Sequence, residues 1–395
     1  MGMKFRLLGC ALLPVLLFSI SCSDNNAALI NGAGVLYVTG QGDSSITAFS
    51  LNLGSGALSG IGSIIATGAV PSAIAVTPSL NALFVANSGS NSISSYTINS
   101  DGTLSAASGT TKTGTTPIAL AIDPAGKFLF VANQVSSSVS VFTINGTALA
   151  AVSGSPFTTI PVGSSYQNGT LPSGVAVSAT GKFLYVANEL ANFVSGFSVS
   201  ASGALSPLPV PFYNTELGPA GVAINPNGGF LYVANSGSLS NNISVFAICD
   251  AVVTSCTDVN NPDGALTPVV GSPFPAGLGP VAIAFDPAFS FAYVVDKGSN
   301  QVSMYSYSTG SGVLTPLAPG SISTGATPVS IAVRSGTTGT NIGNTITNPT
   351  DFVYVANSGA GTVSTYTLST TTGLMNVVGM PFIITGGQTS AVVAK

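Results

Sequence analysis

The sequence predicts an all-β fold, a seven-bladed β-propeller of four-stranded blades closed by a C-terminal strand that completes the first blade. Three observations predict it. A short aromatic phrase recurs seven times, every copy lies in the same order of strand-like segments, and the chain ends on a segment that the first copy lacks. Of the 395 residues, 45% are hydrophobic and only 5% are charged, so a large apolar core is expected.

The phrase is five residues long and reads LYVAN or LFVAN in most copies. Its last residues are 46 to 61 positions apart, a period typical of repeat proteins whose unit contains several strands. The copies are 36–40, 83–87, 129–133, 184–188, 231–235, 292–296 and 353–357. We interpret the aromatic at the second position as a core residue between blades, and the final Asn as a turn former.

Each copy is the second of four segments in its repeat, as the unit around Phe130 shows. Residues 118–122 and 128–133 are apolar runs, as expected of strands buried on both faces, whereas 139–144 alternates like a half-buried strand. A fourth segment follows from Leu149. The first turn contains Asp, Pro and Gly, and the Asp side chain can accept from nearby amides. Four strands per unit are typical of a propeller blade.

The two ends of the chain complement each other. The first copy has no strand before it, whereas residues 390–394 (SAVVA) resemble a first strand with no copy after it. We predict that this strand pairs beside 36–38 and closes the ring, which removes two sheet edges that invite aggregation. The alternative fold, an outer-membrane barrel, predicts a hairpin-sized period and aromatic girdles instead.

The repeated phrase resembles that of the YVTN-repeat propellers, which are grouped with the seven-bladed lactonase fold that includes a bacterial 6-phosphogluconolactonase. The resemblance covers residues 35–395. It implies the propeller fold, but an activity does not follow, because the phrase is structural and the same fold hosts unrelated functions. The family's catalytic residues cannot be carried over, since they lie in loops outside the phrase.

The N-terminus has the pattern of an export signal, which we assign to residues 1–21. Lys4 and Arg6 precede an apolar segment that is too short to cross a membrane comfortably. Residues 19–22 resemble a bacterial lipoprotein processing box, which implies a lipid on Cys22. Secretion without a lipid is the alternative.

Beyond the signal, we expect a short tether over 22–34 and a single propeller domain over 35–395. The protein is then exported to the bacterial cell envelope, in the periplasm or lipid-anchored at the outer membrane, or it is secreted. Its only contact with a membrane would be the anchor at Cys22.

Cys249 and Cys256 are the two cysteines of the predicted propeller domain, and we predict that they form a disulfide. An exported chain meets oxidising conditions, and closing so short a loop stabilises a fold by about 2 to 3 kcal/mol. A metal site is the alternative. It would need further ligands, and the chain contains no histidine.

The composition excludes several classes of function. Eight basic and 12 acidic residues give a net charge of −4, so no nucleic acid partner is expected, because phosphate contacts need clustered Lys and Arg. Without histidine there is no Ser/His/Asp triad. Neither a P-loop nor a dinucleotide fingerprint is present. No cofactor is predicted, and calcium is left open.

One face of the predicted ring collects polar loops. Since antiparallel strands reverse direction, the loops between second and third strands share a face with the connections between blades. This face carries the only glutamates, Glu189 and Glu216, which are weak candidates for a catalytic base or for calcium ligands. The candidate ligand-binding residues are Tyr166, Gln167, Asn168, Glu189, Tyr213, Asn214 and Glu216. The alternative is that solvent-facing loops simply collect polar side chains.

Two functions stay open. The first is an exported, lipid-anchored module that binds or scaffolds a glycan, a peptide or a protein partner. The alternative is a lactonase-like hydrolase that opens an unphosphorylated lactone ring, because a phosphorylated substrate needs a cationic pocket and this face offers only Lys297. The low charge and the missing nucleophiles place the binding module first. A monomer is expected in either case.

Overall fold

The recurring apolar segments form strands, and the strands form seven antiparallel sheets arranged as the blades of a propeller. The computed structural model describes residues 34–52, 55–106, 109–160, 169–250, 262–287, 290–335, 350–378, 383–384 and 388–394. Within these ranges, no helix has the length and hydropathy needed to span a membrane. The predicted export signal, the lipidated Cys22 and the tether up to Ala33 lie outside the described residues.

Each blade runs outward from the central channel, with its strands numbered here in chain order. Blade 1 consists of β31 (Thr389–Ala394), β1 (Gly34–Gly40), β2 (Ser45–Leu51) and β3 (Leu58–Ala66). Blade 2 consists of β4 (Pro71–Val76), β5 (Ala82–Asn87), β6 (Ser92–Thr97) and β7 (Thr110–Lys112). Blade 3 consists of β8 (Pro117–Ile122), β9 (Phe128–Asn133), β10 (Ser138–Asn145), β11 (Ala148–Ala151) and β12 (Phe157–Thr158).

The remaining blades repeat this order. Blade 4 consists of β13 (Pro172–Val177), β14 (Phe183–Asn188), β15 (Phe193–Val199) and β16 (Leu205–Asn214). Blade 5 consists of β17 (Pro219–Ile224), β18 (Phe230–Asn235), β19 (Asn242–Ile248), β20 (Leu266–Pro268) and β21 (Phe274–Pro275). Blade 6 consists of β22 (Pro280–Phe285), β23 (Phe291–Asp296), β24 (Gln301–Tyr307) and β25 (Leu314–Ser323). Blade 7 consists of β26 (Pro328–Arg334), β27 (Thr350–Asn357), β28 (Thr362–Ser369), β29 (Met375–Val377) and β30 (Ile383–Ile384).

Blades 3, 5 and 7 have a fifth strand because their outermost strand is interrupted. In blade 5, for example, β20 and β21 both pair with β19, one at each end. The four-stranded plan predicted from the repeat therefore holds throughout. The innermost strands of neighbouring blades contact one another around the whole ring.

The predicted closure of the ring is confirmed. Strand β31 is the innermost strand of blade 1 and pairs antiparallel with β1, with Leu36 opposite Ala394 and Val38 opposite Val392. The Thr39 hydroxyl accepts a hydrogen bond of 3.1 Å from the Ala391 amide. The two ends of the domain thus share one sheet.

The aromatic of the phrase is fully buried in all seven copies, as predicted. Sequence analysis did not predict that the tyrosines also join blades by hydrogen bonds. The hydroxyls of Tyr37, Tyr185, Tyr232 and Tyr293 donate to Gly102, Gly264, Gly312 and Gly373, at 2.8 to 3.0 Å. Each acceptor carbonyl belongs to the turn between the outer strands of the next blade. Blades 2 and 3 have Phe84 and Phe130 there and lack this bond.

The Asn that ends the phrase is structural, but not in the way its turn preference suggests. Asn87 is fully buried, its side-chain amide donates to Ser94 at 3.0 Å, and its carbonyl accepts from the Gly68 amide at 3.0 Å. Left-handed backbone occurs four residues later instead, as at Asn91 with a φ of 51°. The phrase Asn therefore joins its strand to the neighbouring strand and to the preceding connection.

Candidate functional site

The two ends of the channel are bordered by different loops. We call the end that carries the second-to-third strand hairpins and the blade-to-blade connections the mouth face, and the other end the opposite face. On the mouth face, the residue after each phrase is fixed by a backbone hydrogen bond to the connection before its blade. Glu189, Ser236 and Lys297 donate in this way to Leu171, Gly218 and Gly279, at 2.8 to 2.9 Å.

Further bonds fix one blade to the next on this face. The side chain of Asn192, in the hairpin of blade 4, accepts from the Gly218 amide at 2.8 Å, just before blade 5 begins. Asn241 accepts from the Gly279 amide at 2.8 Å in the same way between blades 5 and 6. Side chains that project from this backbone are therefore held on a rigid rim.

A cavity of about 620 Å³ opens on the mouth face. Its lining comes from blades 3 to 6 and from the connection that precedes blade 7. Its floor comes from the second residue of successive innermost strands, since alternate residues of a strand point to one side. These half-buried residues are Ile118, Ser173, Ala220 and Val281. The polar wall consists of Gln134, Glu189, Ser236, Lys297 and Thr327. Its volume is in the range of small-molecule pockets.

Glu189 is the one carboxylate among the residues that line this cavity, and Lys297 is the one cation. Both side chains are exposed to solvent. The side-chain amide of Gln134 donates to Oε2 of Glu189 at 3.3 Å. The cavity thus combines a group that can accept a proton, a group that can stabilise a negative charge, and hydroxyl and amide groups that can hold a polar ligand.

Asp296 lies beneath Lys297 at the position where five other blades have the phrase Asn. It is fully buried, and Oδ2 accepts from the Ser303 hydroxyl at 2.6 Å. Among the described residues, its Oδ1 has no hydrogen-bond partner. Burial raises the pKa of Asp296 to about 6, partly offset by the bond from Ser303. This carboxyl lies below the side chains that line the cavity and is not itself part of the lining.

The structure brings only one of the two glutamates to the cavity. Glu216 is exposed in the connection from blade 4 to blade 5 and does not line the cavity. Tyr213 is buried in the core between blades 4 and 5, and Asn214 ends the outermost strand of blade 4, opposite Phe193. The end of an outermost strand lies far from the channel axis, which separates these residues from Glu189. Their part in ligand binding stays a prediction.

Other predicted residues fall outside the described part of the chain. Tyr166, Gln167 and Asn168 belong to the undescribed range 161–168. Cys249 is buried directly after β19, and Cys256 is not described, so their disulfide stays a prediction. Within the described residues, no three His, Cys, Asp or Glu side chains converge on one point. Calcium binding therefore stays a prediction too.

Sequence analysis missed most of the polar wall. Gln134, Ser236 and Lys297 all occupy the position directly after the phrase, as Glu189 does. Ser173 occupies the second position of its innermost strand, as the apolar floor residues do. Aligning the repeats and comparing these two positions across blades would have identified the lining, because the fold places equivalent residues at equivalent distances from the axis.

Comparison with protein families matches this chain to the lactonase family of seven-bladed β-propellers. The matched segments are residues 26–155, 153–254 and 249–386, which together span most of the chain. Among curated proteins, no sequence matches.

Several solved structures share the fold. A candidate 6-phosphogluconolactonase of Bacteroides fragilis has a TM-score of 0.73 at 18% identity and covers 93% of this chain and 99% of its own. A second candidate 6-phosphogluconolactonase, from Bacteroides uniformis, has a TM-score of 0.72 at 17% identity, covering 92% and 100%. The periplasmic gluconolactonase of Pseudomonas aeruginosa has a TM-score of 0.72 at 20% identity, covering 92% and 99%. At these identities the likeness shows the fold.

Proposed function

Because this chain belongs to the lactonase family of seven-bladed β-propellers, we propose that it is a hydrolase that opens an unphosphorylated lactone ring. The observation that carries the proposal is the presence of Glu189 and Lys297 in the lining of one cavity at the channel mouth. Two further points support it. The polar wall can hold a hydroxylated ring, and fold neighbours include a gluconolactonase.

In the proposed reaction, Glu189 takes a proton from a water molecule whose oxygen attacks the carbonyl carbon of the lactone. Gln134 holds Oε2 of this carboxylate, which leaves Oε1 for the water. The tetrahedral intermediate carries a negative oxygen, and the ammonium of Lys297 stabilises it. The bond from this carbon to the ring oxygen then breaks, and the protonated Glu189 returns its proton to the ring oxygen. A hydroxy acid is released, and Glu189 is again ionised.

The charge of the cavity favours a substrate without phosphate. A phosphate ester carries up to two negative charges and is usually held by several cationic groups or by clustered backbone amides. Lys297 is the one cation that lines this cavity, and Glu189 would repel a phosphate. A neutral lactone with hydroxyl groups suits this lining better.

The binding or scaffolding role, which the composition placed first, now ranks second. A glycan, a peptide or a protein partner could use the same polar wall, but the family and the fold neighbours support hydrolysis. For the location, we propose the cell envelope. Its support is the export pattern of residues 1–21 together with a fold neighbour described as periplasmic. Lipid attachment at Cys22 belongs to this proposal.

The test is hydrolysis of a panel of lactones, with and without phosphate, by the purified protein and by Glu189→Gln. We expect kcat/KM to fall at least about 100-fold in this variant, which keeps the shape of the side chain but cannot accept the proton. Glu216→Gln is the matched control, because it makes the same change in an exposed residue that does not line the cavity. Its kcat/KM should stay within about twofold of the wild type.

Two results would contradict the proposal: no hydrolysis of any lactone, or equal activity in wild type and Glu189→Gln. Assays with added calcium and with a chelator belong to the same experiment. If Glu189 acts as a base, a chelator leaves the rate unchanged. A chelator-sensitive rate that Glu189→Gln also abolishes would instead make Glu189 a ligand of a bound cation.

A further inference from the structure

Large exposed apolar side chains are distributed unevenly over this molecule. Eleven occur among the described residues; six lie in loops of the mouth face, five lie on or between outermost strands, and none lies in a loop of the opposite face. The six are Val70, Val135, Leu190, Leu217, Leu239 and Leu278. Single exposed apolar residues are ordinary on protein surfaces, but it is unusual that one face of the ring carries six of them in its loops and the other face none among the described residues.

Two of them directly follow residues that line the cavity. Val135 follows Gln134 and Leu190 follows Glu189, in the hairpins of blades 3 and 4. The exposed fractions of their side chains are 60% and 51%. In blades 2, 5, 6 and 7 the same hairpin position is a glycine. A large apolar side chain at this position is therefore a feature of the two blades that carry Gln134 and Glu189.

In blades 5 and 6, a leucine from a different loop lies next to this hairpin position. Leu217 and Leu278 lie in the connections before these blades, and their carbonyls accept from the hairpin amides of Gly237 and Gly298 at 2.9 and 2.8 Å. A Cβ on Gly237 would lie 2.7 Å from the Cβ of Leu217, and one on Gly298 would lie 3.1 Å from that of Leu278. The glycines leave room for the leucines.

The hairpin position and the neighbouring position in the connection are never both large and apolar. At these two positions, each of the four consecutive blades 3 to 6 has one large apolar side chain, either in its hairpin or in the connection before it. The other position of the pair holds Gly or Thr. We call Val135, Leu190, Leu217 and Leu278 the apolar rim. It borders the cavity along the blades that form most of its lining, and the equivalent pairs in blades 2 and 7 contain only Gly and Ala.

We propose that the substrate is an amphiphile, a lactone whose ring enters the cavity and whose unbranched alkyl or acyl chain lies along the apolar rim. This inference rests on the proposed function and adds the substrate class. The polar wall around Glu189 and Lys297 suits the ring, and the half-buried Ile118 and Val281 add apolar groups to the floor of the cavity. Transfer of the chain from water to this surface supplies binding energy that a small lactone lacks.

The test is the dependence of kcat/KM on chain length, using γ-butyrolactone and its butyl- and octyl-substituted forms. Each methylene that is fully buried should raise kcat/KM about fourfold, so the octyl lactone should exceed the unsubstituted one by at least about 100-fold. In the double variant Leu190→Ser, Leu278→Ser, this ratio should fall at least about tenfold. The control is Ile64→Ser, Val377→Ser, which changes equally exposed residues on outermost strands and should keep the ratio.

Binding of the corresponding γ-lactams, measured by titration calorimetry, separates the two proposals. One outcome is that no lactone is hydrolysed, but the octyl lactam binds more tightly than the unsubstituted lactam and loses this advantage in the rim variant. This outcome would support an amphiphilic ligand and contradict the proposed hydrolase activity. If lactones are hydrolysed but kcat/KM does not depend on the length of the alkyl chain, the amphiphilic substrate is contradicted and the hydrolase activity is supported. Equal binding of all lactams also contradicts the amphiphilic substrate. A rim variant that changes only the sedimentation of the protein would assign the rim to a second copy of the chain.

Discussion

The two faces of the propeller are built by the same repeat, and side-chain hydrogen bonds hold the backbone on both. On the opposite face, Asp123 closes its turn by accepting from the amides of Lys127 and Phe128 at 2.7 and 2.6 Å. On the mouth face, Asn192 and Asn241 fix one blade to the next. The faces differ in what they expose. The mouth face carries the charged cavity and the apolar rim, whereas no loop of the opposite face exposes a large apolar side chain among the described residues.

This difference shows where the repeat is free to vary. Residues that bond to the backbone recur from blade to blade, and they are found on both faces. The residue directly after the phrase differs from blade to blade, and at Gln134, Glu189, Ser236 and Lys297 it lines the cavity. The mouth face therefore carries the positions on which the proposed function depends, whereas the turns of the opposite face are closed by their own side chains, as at Asp123.

The largest expected effect is on stability, from the opposite face. Asp123→Ala should lower the free energy of unfolding by about 3 kcal/mol, because two amides lose an ionised acceptor and that of Phe128 is buried. Denaturant unfolding measures it. Asp123→Asn is the control, since Asn225 serves the same turn in blade 5 by accepting from Phe230 at 2.9 Å. Lactone hydrolysis should be unchanged in both variants, and a loss of activity in folded Asp123→Asn would contradict the division between the faces.

The next largest effect is the dependence of stability on pH, which we assign to Asp296, buried beneath the mouth face. The pKa of Asp296 is raised to about 6 in the folded protein, above its ordinary value of 3.8. Between these two pH values the carboxyl is protonated in the folded state and ionised in the unfolded state. Stability should therefore decline as the pH rises from about 4 to about 6 and stay lower above that range. Asp296→Asn removes the ionisation and should raise the free energy of unfolding by about 2 kcal/mol at pH 7.

Unfolding of Asp296→Asn and wild type at several pH values checks this prediction. The two proteins should have similar stability near pH 4, since the carboxyl of the folded protein is neutral there. Five other blades have Asn at this position, so the substitution restores the usual residue of the repeat. A variant that is less stable than the wild type at pH 7 would show that the charged carboxyl is needed.

A third prediction compares one lysine from each face. Lys297→Gln should lower kcat/KM for lactones at least about tenfold, because the oxyanion loses its cation. Lys127→Gln on the opposite face should leave it unchanged, although Lys127 loses its bond to the Ala201 carbonyl and its contact with the Phe128 ring. Steady-state kinetics of both variants decides the matter. Equal effects would remove Lys297 from the proposed mechanism.

The smallest effect concerns the tyrosines that join blades 1, 4, 5 and 6 to the blade that follows. Tyr232→Phe removes the hydrogen bond to the Gly312 carbonyl and should lower the free energy of unfolding by about 1 kcal/mol. Tyr354→Phe is the matched control, because the Tyr354 hydroxyl is buried without a hydrogen-bond partner among the described residues. It should cost less than Tyr232→Phe in denaturant unfolding. The reverse order would argue against these bonds as links between blades.

The fold could be predicted because each of its features recurs. Seven copies of the phrase, the turn formers before it and the lone strand at 390–394 each point to the same closed ring, and the structure confirms the pairing of that strand with β1. The inter-blade bonds of Tyr185 and Tyr232 could not be predicted. They depend on the distance between a side chain and a turn roughly 80 residues away, which the repeat pattern does not contain.

The site was predictable only in part. Glu189 stood out because carboxylates are rare in this chain, and the strand order assigned it to the correct face. Glu216, Tyr213 and Asn214 were grouped with it because strand order specifies the face of a loop but not its distance from the axis. The apolar rim escaped notice because Leu217 and Leu278 look ordinary in the sequence, and their shared location appears only when loops from different blades are superimposed.

The pairing of β31 with β1 has a geometric consequence for an anchored protein. Leu36 lies opposite Ala394, so the first strand begins and the last strand ends at the same side of the ring, away from the cavity. If the chain carries the lipid proposed for Cys22, that anchor joins the propeller on the opposite face. The cavity with Glu189 and Lys297 opens at the other end of the channel.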